Sequence, residues 1–354
     1  MSTKLDKQQN KEFIRKRVNS ELAYHKDRSD TLVLNPPPPK TMMVDLSNGC
    51  NHQCIFCMNR SMTRKVKRMK PALFSRIIDQ AKTFGVKELG LYATGEPFMH
   101  TDLEQFVEEA KQKGFRYVYI STNGGLATPA RLKAVIDAGL DSIKFSINAG
   151  SRETYSLVHG TDDWDKVVEN VQFISNYRAD NNLKFTIFVS SIVTKKTAHE
   201  QETIEQTLSD FVDEIIFVNC DSQQGQMLAN DGALFDEPSK VSCCSLPFNR
   251  LHVTSEGYLT LCCVDYQNYL AVADLNVEEL HKAWNNKHYV EMRKKHMGNT
   301  LDGTLCGNCL SNRGDDIEPA RHDLATSFDF SAFYKSSRGE MKQEIEKRKK
   351  EGKE

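Results

Sequence analysis

Three cysteines, Cys50, Cys54 and Cys57, fall within "SNGCNHQCIFCMN" in the spacing C-x3-C-x2-C. Thiolates at this density select zinc or an iron–sulfur cluster. Three of them are one short of a closed tetrahedral site. Either another ligand completes a zinc site, His52 or a residue distant in sequence, or the site keeps one metal position open. Six more cysteines gather late in the chain: Cys243, Cys244, Cys262, Cys263, Cys306 and Cys309, the last two as C-x2-C. Four thiolates drawn from that set would close a second site, either structural zinc or another cluster. Cys220 stands alone after an apolar run. It reads as a thiol at a pocket rim or as a small buried hydrophobe.

Composition narrows the setting. The chain has 354 residues, enough for one large or two medium domains. Its 47 basic residues against 48 acidic argue against a broad nucleic-acid footprint. No apolar run approaches the length of a membrane span. The N-terminus lacks the apolar core of an export signal, so the expected location is the cytoplasm. Ten cysteines in that setting are expected to stay reduced and to bind metal or react.

The elements that would position these thiols alternate. Residues 1–40 read as a polar N-terminal arm ending in the stiff "NPPPPK". Strands are expected at 41–46, 88–93, 117–122, 142–147, 184–191 and 214–219. Helices are expected at 71–84, from a Thr101/Glu104 capping box to Gly114, at 129–138, at 164–177 and near 200–208. That makes six βα steps, too few for an eight-fold barrel, so the fold expected is α/β, a partial (βα)6 TIM-like barrel over 41–222. The first three cysteines follow the first strand, where such a barrel places its active-site loops. Beyond it, 240–315 is expected to form a small cysteine-rich domain, with a hairpin at 251–253 and 258–261 and a helix over 277–294. Residues 316–354 read as a charged tail, with a frayed helix in "RGEMKQEIEKRKKEGKE".

The cysteine spacing, with Phe56 before the last cysteine, resembles the signature of the radical S-adenosylmethionine (SAM) enzymes. "ATGEP" at 93–97 resembles that family's Gly-Gly-Glu-Pro segment, with Thr94 in place of the first glycine. "STNG" at 121–124 follows the third strand, and "FSINAG" at 145–150 the fourth, with Asn148 where the family often has Asp. The resemblance covers about 40–220. It implies a 4Fe–4S cluster on Cys50, Cys54 and Cys57 whose open iron is chelated by SAM. One-electron cleavage would give a 5′-deoxyadenosyl radical that takes hydrogen from a substrate, leaving orientation to the protein. Phe56 would pack near the adenine, and Gly95 and Glu96 would receive the methionine ammonium. Ser146 and Asn148 are candidates for the ribose and methionine ends, with Ser190 or Ser191 as a further contact. A reducing partner such as a flavodoxin or ferredoxin is implied as well.

The late cysteines, in "CSLPF", "EGYLTLCCVD", "AWNN" and "CGNC", look like the SPASM or twitch auxiliary-cluster extension of such enzymes. The resemblance implies one auxiliary 4Fe–4S cluster on Cys244, Cys262, Cys306 and Cys309, with Cys243 and Cys263 as alternatives. It also resembles radical dehydrogenases and epimerases acting on sugars or aminocyclitols, which would make this an oxidoreductase-type enzyme with a small-molecule substrate. Peptide maturases share the extension, and a zinc-stapled binding protein is the non-catalytic reading. In an epimerase, Cys220 could return a hydrogen atom to the substrate. Arg152, His159 and Asp163 follow the fourth strand and read as solvated loop residues or as groups facing the site.

Overall fold

The computed structural model describes residues 4–22, 32–221, 223, 243–311 and 314–334. Six strands follow one another in space as in sequence: β1 (Thr41–Val44), β2 (Glu88–Gly90), β3 (Tyr117–Thr122), β4 (Ser142–Ser146), β5 (Thr186–Val193) and β6 (Glu214–Asn219). Every neighbouring pair is parallel. Between them run α2 (Pro71–Phe84), α3 (Leu103–Gln112), α4 (Pro129–Asp137), α5 (Arg152–His159), α6 (Trp164–Asp180) and α7 (Gln201–Leu208). This is the expected partial barrel. The apolar spacing of α2 is the reason for its place: Phe74, Ile77, Ile78 and Ala81 are buried on one face, and Gly85 ends the helix at φ 106°.

Strand alternation sorts the residues into two sides. Ile143 and Phe145 of β4 and Ile187 and Val189 of β5 join the apolar core under the helices. Their alternates Ser142, Lys144, Ser146, Phe188 and Ser190 line the lumen.

The N-terminal arm contains a helix its polar sequence did not announce, α1 (Lys4–Leu22). It closes the barrel at the N-terminal ends of the strands. Ile14 is 2% exposed, Arg15 pairs with Glu214, and Arg17 donates to Glu88 at 2.8 Å. The Arg17 guanidinium also lies 4.4 Å from the ring centroids of both Tyr117 and Tyr119. The proline run leads on to β1. It is held by the Trp284 indole, which donates to Pro36 O at 3.2 Å, and by Arg293, which donates to Leu34 O.

The cysteine-rich segment extends the same sheet. β7 (Arg250–Val253) pairs parallel with β1, and β8 (Tyr258–Thr260) and β9 (Ala271–Asp274) follow antiparallel. The expected hairpin is therefore present, its first strand docked on the barrel. Four helices pack around it: α8 (Leu246–Asn249), α9 (Leu280–Ala283), α10 (Lys287–Met297) and α11 (Leu305–Ser311). The helix expected over 277–294 is two, because Asn286 accepts from Tyr289 N and caps a new start. The expected Thr101 cap does not form. Asp102 takes the N-cap position of α3, and Glu104 pairs with Arg131. α5 was missed, although Ser151 caps it and Gly160 ends it at φ 69°. Of the expected tail, Phe330 is buried against Tyr269 and Tyr334 against Phe330, and the mixed-charge run beginning at Arg338 lies outside the described residues.

Candidate functional site

The chain leaves β1 through a turn that runs straight into the cysteine loop. Gly95, after β2, lies against this turn. A Cβ there would sit 2.1 Å from Ser47 O and 2.5 Å from Gly49 O, so only glycine fits. Glu96 N donates to Gly49 O at 2.9 Å. On the other side, Gln53 N and Ile55 N donate to His159 O and Val158 O at the end of α5. The loop is thus clamped between the β2 and β4 connections.

Each of the three sulfurs faces a polar partner. Cys50 Sγ accepts from Asn123 Nδ2 at 3.7 Å and from His52 N at 3.4 Å. Cys54 Sγ lies 3.8 Å from His159 Nδ1, and Cys57 Sγ lies 3.3 Å from Tyr266 Oη. Burial raises all three thiols, Cys50 to about 12, and for Cys54 the neighbouring Cys57 and Cys50 add to the rise. Ionising three such sulfurs together requires a positive group among them.

The Glu96 carboxylate is committed to the turns around it. It accepts from Phe98 N at 3.1 Å, Thr122 Oγ1 at 2.7 Å and Asn123 N at 2.8 Å, while burial raises its pKa. It therefore sets the turn that presents Asn123 to Cys50. Thr94, at the departure from Gly-Gly-Glu-Pro, donates to buried Asp45 at 2.6 Å and accepts from Arg64 at 3.3 Å. Arg64 in turn reaches Glu256 and Asn268, which ties the cysteine loop to the C-terminal segment.

His159 sits at the centre of a buried chain. Its Nε2 accepts from Asn148 N at 3.2 Å and faces Asn148 Nδ2 at 3.1 Å, which leaves its proton on Nδ1. That edge faces Cys54 and His52 Nδ1, the latter at 3.2 Å, and His52 Nε2 pairs with Asp163 at 3.1 Å. Burial first, then His52, lowers the His159 pKa to about 3, so the ring is neutral. His159 and Asp163 thus depart from the solvated-loop reading, which holds for Arg152, exposed and paired with Asp162 and Asp165. His52, Cys54 and His159 also place three ligand atoms within 4.8 Å of one another. His52, the residue considered for completing a zinc site, has both nitrogens engaged in this chain.

The remaining sequence candidates fall as follows. Phe56 is buried, edge-on to His159. Asn148 Oδ1 accepts from Ile192 N at 2.7 Å and pins β4 to β5. Ser146 lines the lumen, its Oγ 3.4 Å from Ser121 Oγ, with Ser190 opposite it in register. Ser191 is the correction. Alternation turns it to the helix side with Val189, where it is 1% exposed, so Ser190 takes the lumen position. Cys220 lies in the apolar core, its thiol pushed up to about 12 by burial.

In the C-terminal segment, Cys244, Cys262, Cys306 and Cys309 line one cavity, walled by Leu246, Pro247, Leu261, Leu270, Leu305 and Leu310. Cys243 and Cys263 are not among its lining residues.

The model of the radical SAM superfamily matches residues 44–206, and that of the SPASM iron–sulfur cluster-binding domain matches 243–310. The chain belongs to the radical SAM superfamily and carries a SPASM domain. A "Probable GTP 3′,8-cyclase" of Metallosphaera sedula is 31% identical over 170 residues, 47% of this chain and 51% of that one. One from Saccharolobus islandicus is 33% identical over 135 residues, 38% of this chain and 43% of that one. The chain thus spans about half the length of these curated relatives, or less. Among solved structures, BtrN in complex with AdoMet and 2-DOIA has a TM-score of 0.53 at 18% identity, covering 76% of this chain and 92% of that one. Streptococcus suis SuiB bound to its precursor peptide SuiA has a TM-score of 0.59 at 14% identity, covering 79% and 70%. Both likenesses are of fold.

Radical SAM membership brings a SAM-binding 4Fe–4S cluster, and the SPASM domain an auxiliary iron–sulfur cluster. The residues present fit both: three clustered thiols with polar partners in the barrel loop, and four thiols around one cavity in the extension. Among the described residues no helix is long and apolar enough to cross a membrane. Sequence reasoning missed Asn123, His52, His159 and Tyr266 as partners of this loop. "STNG" offered a signal for Asn123; Tyr266 lies 209 positions from Cys57 and offered none.

Proposed function

We propose that this radical SAM enzyme takes a hydrogen atom from a small polar molecule held in the barrel lumen, in a dehydrogenation or an epimerisation. When bound, the 4Fe–4S cluster supplies one-electron cleavage of SAM to a carbon radical able to take hydrogen. In this reading Cys50, Cys54 and Cys57 hold that cluster, with Asn123, His159 and Tyr266 as their hydrogen-bonding partners. Gly95 lets the two loops close, and Glu96 holds the β3 turn. Ser121, Ser146 and Ser190 offer hydroxyls to SAM or substrate at the upper lumen. Cys244, Cys262, Cys306 and Cys309 hold the auxiliary cluster, an outlet for an electron from the substrate. A flavodoxin or ferredoxin is the natural class of reductant.

The observation that carries the small-molecule reading is the closed lumen. Ile14 and Arg17 of α1 pack against Tyr92, Tyr117, Tyr119, Lys144 and Phe188 and leave a cavity of about 10 Å³ at the lower end, so a ligand would sit above it, at the strand ends beside the cysteine loop. Lys144 Nζ, 5.2 Å from the Tyr92 ring centroid, sets a positive charge in the lumen below Ser146 and Ser190. The test compares 5′-deoxyadenosine release on adding the low-molecular-weight and peptide fractions of a cell extract. Stimulation by the first is expected; stimulation by the peptide fraction alone would favour a maturase.

A further inference from the structure

The cavity of the four C-terminal cysteines holds one polar ring besides the sulfurs. His296, on α10, lines it and is 2% exposed. Its Nδ1 accepts from Cys244 N at 3.5 Å, which leaves the proton of the neutral ring on Nε2. Nε2 is buried and has no hydrogen-bond partner. A buried N–H without an acceptor is destabilising until one arrives. The other lining residues are leucines, a proline and the cysteines, so the side-chain acceptors within the cavity are sulfurs. Phe248, edge-on to the ring at 6.3 Å, packs against the imidazole.

We infer that His296 is a positioning residue for the auxiliary cluster: its Nε2–H donates a hydrogen bond to a sulfur of the cluster or of a ligating cysteine. This rests on the reading of Cys244, Cys262, Cys306 and Cys309 as cluster ligands. A donor to sulfur stabilises the reduced, more negative form, so His296 raises the reduction potential of this cluster. The auxiliary cluster is thereby set to receive an electron.

The experiment uses the full chain with Cys50, Cys54 and Cys57 changed to Ala, so that only the auxiliary cluster remains. After anaerobic reconstitution, iron and sulfide are counted and the potential is read by EPR-monitored titration. About four irons are expected with His296 intact. His296→Phe is expected to keep them while its potential moves negative, and His296→Gln, which retains an N–H, to move part of the way back. An unmoved potential in a fully loaded His296→Phe overturns the inference. Should that variant not fold, hyperfine spectroscopy of the parent decides. A weakly coupled exchangeable proton beside histidine nitrogen supports the donor; its absence, or the strong nitrogen coupling of direct ligation, overturns it. A parent that takes up zinc and no iron fails earlier, at the cluster reading, and removes both.

Discussion

Tyr266, in the SPASM domain, places its hydroxyl 3.3 Å from the sulfur of Cys57, in the barrel loop. Tyr266 is buried, and its hydroxyl also lies 2.9 Å from Gln223 Oε1. A hydroxyl has one proton. As placed, the hydroxyl donates to Gln223 Oε1; with Cys57 ionised as a metal ligand, the sulfur becomes the stronger acceptor for that proton. The C-terminal domain thus touches the first metal site directly.

Tyr266→Phe keeps the ring and removes this bond together with the one to Gln223. The SAM-binding cluster is expected to become harder to reduce, its potential more negative on the order of tens of millivolts, with iron content unchanged. EPR-monitored titration checks this. An unchanged potential would mean the hydroxyl serves packing alone.

Asp45 makes folding depend on pH. Burial raises its pKa to about 7, against the favourable Arg64 charge and the Thr94 hydrogen bond. A carboxyl raised in the folded state binds its proton while the unfolded chain has released it. Stability is therefore lost as pH rises from about 4 to about 7, by a few kcal/mol at most. Asp45→Asn is expected to flatten this slope, as read from thermal melts across that range. A slope identical to wild type would mean that Arg64 keeps Asp45 ionised.

The cavity separates the paired cysteines. Cys262→Ala is expected to lower reconstituted iron from about eight to about four per chain, and Cys263→Ala to leave it near eight. The reverse pattern would move the auxiliary ligand by one position.

Cys220 packs in the apolar core, so Cys220→Ala is expected to retain both 5′-deoxyadenosine release and product formation. Cleavage without product would instead restore it as the hydrogen donor.

Much of this was legible in the sequence, for physical reasons. β3 and β6 have the bounds that their apolar runs suggest, and α2 lies between the proline and glycine that mark its ends. α1 was invisible because its docking rests on Arg15, Arg17 and Ile14 meeting distant strands, with no strong apolar stripe of its own. The cysteines could be read from their spacing. Their partners could not: His159 reaches Cys54 through the placement of α5, and Tyr266 reaches Cys57 through the docking of β7 on β1. Glu96 differs again. It was legible as a motif residue, yet its contacts are with Phe98 N in its own turn and with Thr122 Oγ1 and Asn123 N at the end of β3.

The central claim is that the loop of Cys50, Cys54 and Cys57 holds an open cluster that cleaves SAM. The most direct measurement is 5′-deoxyadenosine formed from SAM and dithionite by the anaerobically reconstituted chain, compared with Cys54→Ala. The account predicts 5′-deoxyadenosine from the former and none from the latter. Equal amounts from both, or none from a fully iron-loaded wild type, would contradict it.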